Sequence, residues 1–231
     1  MNPDLKKIIT IDGPAGAGKS TLARDLARCL TWMYLDTGAL YRAVALVAAR
    51  RGIDPHIQSA AEELARSINV TAMPGPEGTV IMVDDEDVTA LLRSPDISRA
   101  ASVISAWPGV RAALLDLQRS LGNKGKVVAE GRDMGTVVFP DAGLKFYLSA
   151  APETRAQRRH RELAVADPKI SQAEVFRDIT NRDQADCSRP VAPLKIPPQA
   201  LTIDSTNLTP DEVLKVMVNA FRNRFFSKNG P

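Results

Sequence analysis

The chain is organised around one octapeptide, Gly13-Pro14-Ala15-Gly16-Ala17-Gly18-Lys19-Ser20, which Thr21 follows. The apolar run before it, Lys6–Asp12 (KKIITID), predicts a buried strand that ends at the first glycine. The residues after it repeat apolar side chains at helical spacing and predict a helix over Lys19–Leu30. A glycine-rich turn is therefore expected to join a strand to a helix.

The octapeptide has the spacing G-x-x-x-x-G-K-[ST], which is typical of P-loops, the loops that bind the phosphates of a nucleoside triphosphate. Glycines let backbone N–H groups turn inward around a polyphosphate, where a side chain would collide. The positive end of the helix dipole faces the same place. We expect Lys19 to contact the outer phosphates of the nucleoside triphosphate and the Ser20 hydroxyl to hold Mg²⁺. The residues predicted to bind the nucleotide here are Gly13, Pro14, Ala15, Gly16, Ala17, Gly18, Lys19, Ser20 and Thr21.

Strand-like and helix-like segments alternate along most of the chain. This alternation predicts an α/β protein with a parallel sheet and helices on its faces. The final helix is expected to begin at a capping box over 209–212. Further strands are predicted at 32–36, 126–130, 144–150 and 200–204, and further helices at about 38–51, 96–106, 110–121, 152–166 and from Ser171 towards Asp186.

The alternation breaks in the middle of the chain. Short strand-like pieces, divided by Pro74-Gly75-Pro76 and by Gly78, predict a small antiparallel insert over residues 67–92. We expect residues 152–187 to form a lid with its flanking helices, broken at Asp167-Pro168. The P-loop core then comprises residues 1–66, 93–151 and 188–231.

Composition and charge disfavour several classes of protein, namely membrane-spanning, secreted and nucleic-acid-binding proteins. The 231 residues are 44% hydrophobic and 25% charged, and no apolar run approaches the ~20 residues that span a bilayer. The start of the chain is polar, so a secretory signal is not expected. Two distant cysteines fit a reducing cytoplasm, although one disulfide stays open. A net charge of +3 with local arginine clusters favours a small anionic ligand over nucleic acid. We expect a cytoplasmic monomer.

Two kinds of protein use such a loop. In a switch or motor the nucleophile is water, whereas in a small-molecule kinase it is a second substrate. Guanine-selective switches usually carry an Asn-Lys-x-Asp motif, and this chain has none. A kinase needs a second anion site that faces the P-loop and a mobile cationic lid. The sequence offers both.

Four motifs stand out along the chain: GPAGAGKST (13–21), DTGALYR (36–42), EGRDMGTVVFPD (130–141) and RPVAPL (189–194). Together they resemble the bacterial cytidylate kinases, and the most specific of them is the one over residues 130–141. The resemblance implies an ATP-dependent phosphorylation of CMP and dCMP, a core sheet of five parallel strands, an enlarged acceptor-binding insert and an arginine-bearing lid.

The resemblance also implies which residues bind the acceptor. Arginines suit its phosphate, because a guanidinium donates paired hydrogen bonds. A carboxylate such as Asp133 can accept from the amino group of cytosine, although it could instead pair with Arg132 as a structural ion pair. The implied substrate-binding residues are Thr37, Tyr41, Arg42, Ser102, Arg111, Arg132, Asp133, Arg182, Asp186 and Arg189.

Catalysis is expected to rest on cations alone. The phosphate of CMP has a second pKa near ~6 and is largely deprotonated at neutral pH, so no general base is required. The catalytic residues implied are Lys19, Arg132, Arg158 and Arg182. Arg155 and Arg159 are expected to bind ATP from the lid, although an arginine-rich helix is ordinarily a solvated face.

Overall fold

The computed structural model describes residues 7–75, 78–123, 125–165 and 167–226. The predicted strand over Lys6–Asp12 is seen from Ile8, and Lys6 lies outside the described residues. The described strands are β1 (Ile8–Asp12), β2 (Met33–Asp36), β3 (Val70–Gly75), β4 (Gly78–Val83), β5 (Glu86–Asp87), β6 (Val127–Gly131), β7 (Leu144–Ser149) and β8 (Leu201–Asp204).

Five of these strands form one parallel sheet in the order β2-β6-β1-β7-β8. This confirms the α/β class and the five-stranded parallel sheet. The strand that leads into the glycine-rich loop is at the centre, between β6 and β7. Because the strands are parallel, their carboxyl ends meet along one edge, and the loops that follow them converge there.

Eight helices are described, and they include one that the sequence analysis did not predict. That helix, α3, buries Ala61, Leu64 and Ala65, and a face made mostly of alanine gives a weak hydrophobic signal. Pro108 begins α5 at its first turn, where a missing N–H costs nothing. The helices are α1 (Lys19–Leu30), α2 (Thr37–Arg50), α3 (Gln58–Ser67), α4 (Pro95–Ile104), α5 (Pro108–Gly122), α6 (Pro152–Leu163), α7 (Gln172–Ser188) and α8 (Pro210–Phe226).

The sheet lies between two layers of helices. Alternate residues of β1 face opposite sides of the sheet and pack against one layer or the other. Ile9 and Ile11 are fully buried in a cluster with apolar residues of α1 and α8. Ile8 is fully buried in a second cluster, which Leu115 of α5 joins on the other side of the sheet. The structure therefore has the three layers that the sequence predicts.

Two helices begin as their sequences predict. Ser171 and Glu174 form a capping box at α7, with the Glu174 amide donating to the Ser171 hydroxyl over 3.2 Å. Thr209 and Glu212 make the equivalent contacts at α8, where the corresponding distance is 3.3 Å. Both boxes satisfy amides that would otherwise lack partners at a helix start.

The insert is antiparallel, in the order β3-β4-β5, as predicted, and Pro76 of its predicted turn lies outside the described residues. It is not isolated from the helices around it, because Val70 and Ile81 share one hydrophobic cluster with residues of α2–α5. The Thr79 hydroxyl donates to the Tyr34 carbonyl over 2.6 Å and so attaches β4 to the edge strand β2.

The base of the predicted lid is packed against the glycine-rich loop. Ala156 of α6 and Val175 and Ile179 of α7 form a small buried cluster with Ala15. Both cysteines, Cys29 and Cys187, are free, so the disulfide that the sequence left open does not form. None of the helices in the described ranges is both long and apolar enough to cross a membrane.

At Gly13 the neighbouring strand leaves no room for a side chain. Its φ is 153°, and a Cβ built on it would lie 2.0 Å from the Leu148 carbonyl oxygen of β7. We expect Gly13→Ala to lower the free energy of unfolding by about 3 kcal/mol or more, since β1 and β7 must separate. Gly52→Ala is the control: its φ is 64° with no atom within 4 Å, so only backbone strain of ~1–2 kcal/mol applies. Equal losses in urea denaturation would contradict the close approach.

Candidate active site

The glycine-rich loop lies at the carboxyl edge of the sheet and leads directly into helix α1. Helix α1 begins after Gly18, which is left-handed (φ 88°), with no side-chain cap and no acid in its first turn. Its free N–H groups and its dipole therefore favour an anion. The Lys19 ammonium curls back over the loop and donates to the Pro14 carbonyl over 2.6 Å.

A carboxylate lies beside the predicted metal ligand. Glu130, near the end of β6, accepts a 2.6 Å hydrogen bond from the Tyr34 hydroxyl and also faces the Ser20 hydroxyl and the Lys19 ammonium. Burial, and then the charge of Asp36, raise the pKa of the Glu130 carboxyl. The sequence analysis named Glu130 only as part of the motif over residues 130–141 and predicted no role for it. Its position at the end of a predicted strand, in a chain with a P-loop, is the sequence signal that could have identified it.

One cavity brings most of the predicted acceptor residues together. Ser102 is the exception: it is absent from the lining, to which α4 contributes Ser98 and Ala101 and the residue after the helix, Ser105, is added. The Thr37 hydroxyl donates to the Glu130 carbonyl over 2.7 Å. The predicted residues that line the cavity are Thr37, Tyr41, Arg42, Arg111, Arg132, Asp133, Arg182, Asp186 and Arg189.

Ion pairs order most of these arginines. Arg132 Nε donates to Asp186 Oδ2 over 2.7 Å, whereas the alternative pair with Asp133 is not formed. Asp133 instead hydrogen-bonds Arg111 and lies 3.8 Å from Arg189. In these pairs the carboxylates of Asp133 and Asp186 accept hydrogen bonds from arginines. The guanidinium groups that line the cavity are therefore held in place. Arg42 is paired with Asp36 over 2.6 Å in the same way.

Two cations of the site are less well compensated. Burial, followed by the charge of Arg132, lowers the pKa of Arg182 to about 10, and its buried Nε has no hydrogen-bond partner within the described ranges. Burial and the charges of Arg132 and Arg182 lower the pKa of Lys19 to about 7, against the opposing effect of Glu130. The P-loop lysine and the cavity arginines are thus close enough to repel one another. Such a site is electrostatically suited to anions.

The lid arginines occupy different positions from one another. Arg155 is buried and donates to the Ala15 carbonyl over 3.0 Å, while Asp183 pairs with Arg155 and accepts from the Ala15 amide over 3.1 Å. Arg155 therefore reaches the P-loop backbone, and sequence reasoning missed its partner Asp183. Arg158 donates to Ser205, and Arg159 pairs with Glu162 at the surface. Their roles with ATP stay predictions.

We expect nucleotide binding to be linked to protonation of Lys19, whose pKa is lowered in the free protein. Phosphates next to Lys19 raise its pKa from about 7, so ATP binding at pH 7 should take up about half a proton more than binding to Lys19→Arg, whose guanidinium is always charged. Calorimetric titrations in buffers of different ionisation enthalpy measure this number, and the comparison cancels the proton that ATP itself releases. The difference should vanish near pH 5. Equal uptake by both proteins at pH 7 would refute the shift.

A P-loop motif between a strand and a helix, with its lysine near the arginines of a cavity, is the arrangement expected of a P-loop phosphotransferase. The model of the cytidylate kinase family matches residues 9–223. The chain belongs to the cytidylate kinase family. It is an ATP-dependent phosphotransferase.

Relatives cover nearly the whole chain. The cytidylate kinase of Carboxydothermus hydrogenoformans is 45% identical over 89% of this chain and 93% of its own length. That of Pelotomaculum thermopropionicum is 46% identical over 91% and 93%. Among solved structures, a shikimate kinase from Acinetobacter baumannii in complex with shikimate covers 97% of both chains at 17% identity and a TM-score of 0.46. That likeness is too distant to bear on the substrate.

Proposed function

We propose that this protein transfers the γ-phosphoryl group of ATP to the phosphate of CMP or dCMP, giving CDP or dCDP and ADP. The observation that carries the proposal is that the P-loop and the arginine-lined cavity, both suited to anions, lie close to each other. Arg132 and Arg182, which line the cavity, lie near enough to the P-loop lysine, Lys19, to lower its pKa. A phosphate in the cavity and the last phosphate of ATP would therefore be neighbours.

The transfer requires alignment and charge neutralisation rather than a base. An oxygen of the acceptor phosphate forms a bond to the γ-phosphorus, and the bond from that phosphorus to the β–γ bridging oxygen breaks, which releases ADP. Since the acceptor is already ionised near pH 7, no proton has to be removed. Lys19, Arg132 and Arg182 would hold the two anions together against their repulsion.

The far end of the cavity suits a cytosine base. Asp133 carries the acceptor that an exocyclic amino group needs, and Arg111, which also lies 5.4 Å from the centre of the Tyr41 ring, carries donors for the base acceptors. Uracil has a carbonyl where cytosine has the amino group. It would place an oxygen against the Asp133 carboxylate, which is costly in a buried site.

The residues present fit a magnesium ion. Mg²⁺ prefers oxygen ligands, and the Ser20 hydroxyl beside the Glu130 carboxylate supplies them on the P-loop side of the site. When bound, the ion would neutralise charge on the phosphates of ATP. We propose Ser20 as its ligand and Glu130 as the carboxylate that orients the ligand.

One assay tests the function. ADP release from ATP should be fast with CMP and dCMP, much slower with UMP and AMP, and slowest with no acceptor. Equal release with and without acceptor would identify an NTPase whose nucleophile is water. Release that depends on some other acceptor would leave a P-loop kinase but overturn the substrate. We propose that the protein works in the cytoplasm as a monomer on these small molecules, without a nucleic-acid or membrane partner, and sedimentation tests the monomer.

A further inference from the structure

Asp12 connects the strand of the P-loop to the turn that carries two acceptor residues. It is the last residue of β1, next to Gly13, and its side chain is fully buried. Its two carboxylate oxygens accept from two successive backbone amides: Oδ1 from Met134 and Oδ2 from Gly135, each over 2.8 Å. No role was predicted for Asp12 from the sequence.

The turn that Asp12 holds begins where β6 ends at Gly131, the register partner of Asp12. The next two residues are Arg132 and Asp133, whose side chains line the acceptor cavity. Directly after them the backbone enters a single turn of π-helix over Met134–Val138, an uncommon conformation that depends on its flanking hydrogen bonds. The carboxylate therefore fixes the backbone immediately behind the cavity.

A carboxylate at this position carries an energetic cost. Burial, and to a smaller extent the charge of Asp133, raise the pKa of Asp12 to about 6, while the two amides and Lys19 act against the rise. Lys145 is the other charged group that faces it, from β7. Because the folded state holds this proton more tightly, ionising Asp12 lowers stability as the pH rises from 3.8 to about 6.

The geometry gives a reason for a carboxylate rather than an amide. Two N–H groups that point at one side chain need two acceptor oxygens. An asparagine offers one oxygen and turns an NH₂ group towards the second amide, where donor faces donor. An aspartate offers two oxygens, one to each amide, and both contacts are 2.8 Å long.

We infer that Asp12 is a positioning residue of the acceptor site. By holding the Met134 and Gly135 amides it fixes where Arg132 and Asp133 enter the cavity, and through them it sets the preference of the enzyme for CMP over UMP. This inference rests on the proposed function. It concerns acceptor binding and not the ATP site, although Asp12 adjoins the P-loop in sequence.

The test is Asp12→Asn. Losing one buried hydrogen bond behind the cavity should raise KM for CMP about tenfold and lower the CMP:UMP ratio of kcat/KM about tenfold, with KM for ATP within about twofold of the wild type. Hydrogen exchange at the Met134 and Gly135 amides, followed in the free protein, should quicken in the variant. Asp12→Glu, which keeps the charge but lengthens the side chain, should also raise KM for CMP if carboxylate placement is what matters.

Thr209→Ala is the matched control. It removes the capping oxygen of α8, and so costs stability without touching the acceptor turn. It should leave both KM values and the CMP:UMP ratio unchanged. Parallel changes in KM for CMP and ATP in Asp12→Asn, or an unchanged ratio, would overturn the inference. If Asp12→Asn does not fold, Asp12→Glu decides on the same readouts. A wild-type protein without CMP turnover refutes the proposed function instead, and amide exchange still reports whether Asp12 holds the turn.

Discussion

Lys19→Met should lower kcat by about 10²- to 10³-fold, which is the usual effect of removing one charged donor from a site of developing negative charge. Lys19 is the cationic residue of the P-loop. Repulsion from Arg132 and Arg182 of the cavity helps to lower its pKa to about 7. ATP and the acceptor phosphate relieve that repulsion. The positive charge of Lys19 is therefore most stabilising when ATP and the acceptor phosphate are both bound. Because that is the state from which the reaction proceeds, removing the charge should lower kcat.

Stability and turnover should separate in this variant. The ligand-free protein loses one hydrogen bond to Pro14 but also loses a charge that its surroundings disfavour, so the free energy of unfolding should change by less than about 1 kcal/mol. Lys145→Met is the control. Its ammonium likewise donates to the carbonyl of a proline five residues earlier, Pro140, over 2.5 Å, and burial likewise lowers its pKa. Lys145 belongs to β7 and not to the P-loop, and no cavity arginine contributes to its pKa shift. Near-normal turnover by Lys19→Met in a coupled assay would remove the P-loop lysine from the mechanism.

Arg182→Met should lower kcat/KM for CMP by about 10²- to 10³-fold without destabilising the ligand-free protein. Arg182 lines the cavity, but its buried Nε has no partner in the described chain, and burial together with Arg132 lowers its pKa to about 10. The folded state therefore disfavours this charge until an anion arrives. Removing it should leave the free energy of unfolding unchanged or slightly higher.

Arg132→Met provides the contrast within the same cavity. Arg132 is paired with Asp186, which is buried, so its removal leaves this carboxylate without its 2.7 Å partner, with Arg189 at 3.5 Å and the charge of Arg182 as the remaining compensation. Breaking such a pair should cost about 3 kcal/mol of stability in addition to activity. Urea denaturation and steady-state kinetics on both variants measure the two effects. Equal destabilisation by Arg182→Met would mean that Arg182 has a structural partner and is not held for a substrate.

The sequence predicted the elements whose causes are local. The strand, turn and helix around residues 13–20 follow from apolar spacing and from glycines that only a tight turn requires. The capping boxes at Ser171 and Thr209 follow from side chains three residues apart. Helix α3 was missed because an alanine-rich buried face has little hydrophobic contrast.

The arrangement of the candidate site could be predicted only in part, and the reason is geometric. Residue types in a motif predict Arg132 and Asp133 as site residues, and both line the cavity, but the motif does not say which charge faces which. The adjacent pair was a reasonable alternative, yet the two side chains diverge and bind partners on α7 and α5. Ser102 illustrates the same limit, because the rotation of α4 turns Ser98 and Ala101 to the cavity instead.

The sequence by itself determined the P-loop, the parallel α/β class and the family, since each depends on residues close together along the chain. Tertiary structure alone decided that Asp12 binds the turn after β6, that Asp183 and Arg155 hold Ala15, and that Glu130 faces Ser20. These contacts join residues from 110 to 168 positions apart, as with Ala15 and Asp183 or Ser20 and Glu130. Hydrogen bonds between such residues depend on how strands and helices pack, and no local pattern encodes that packing.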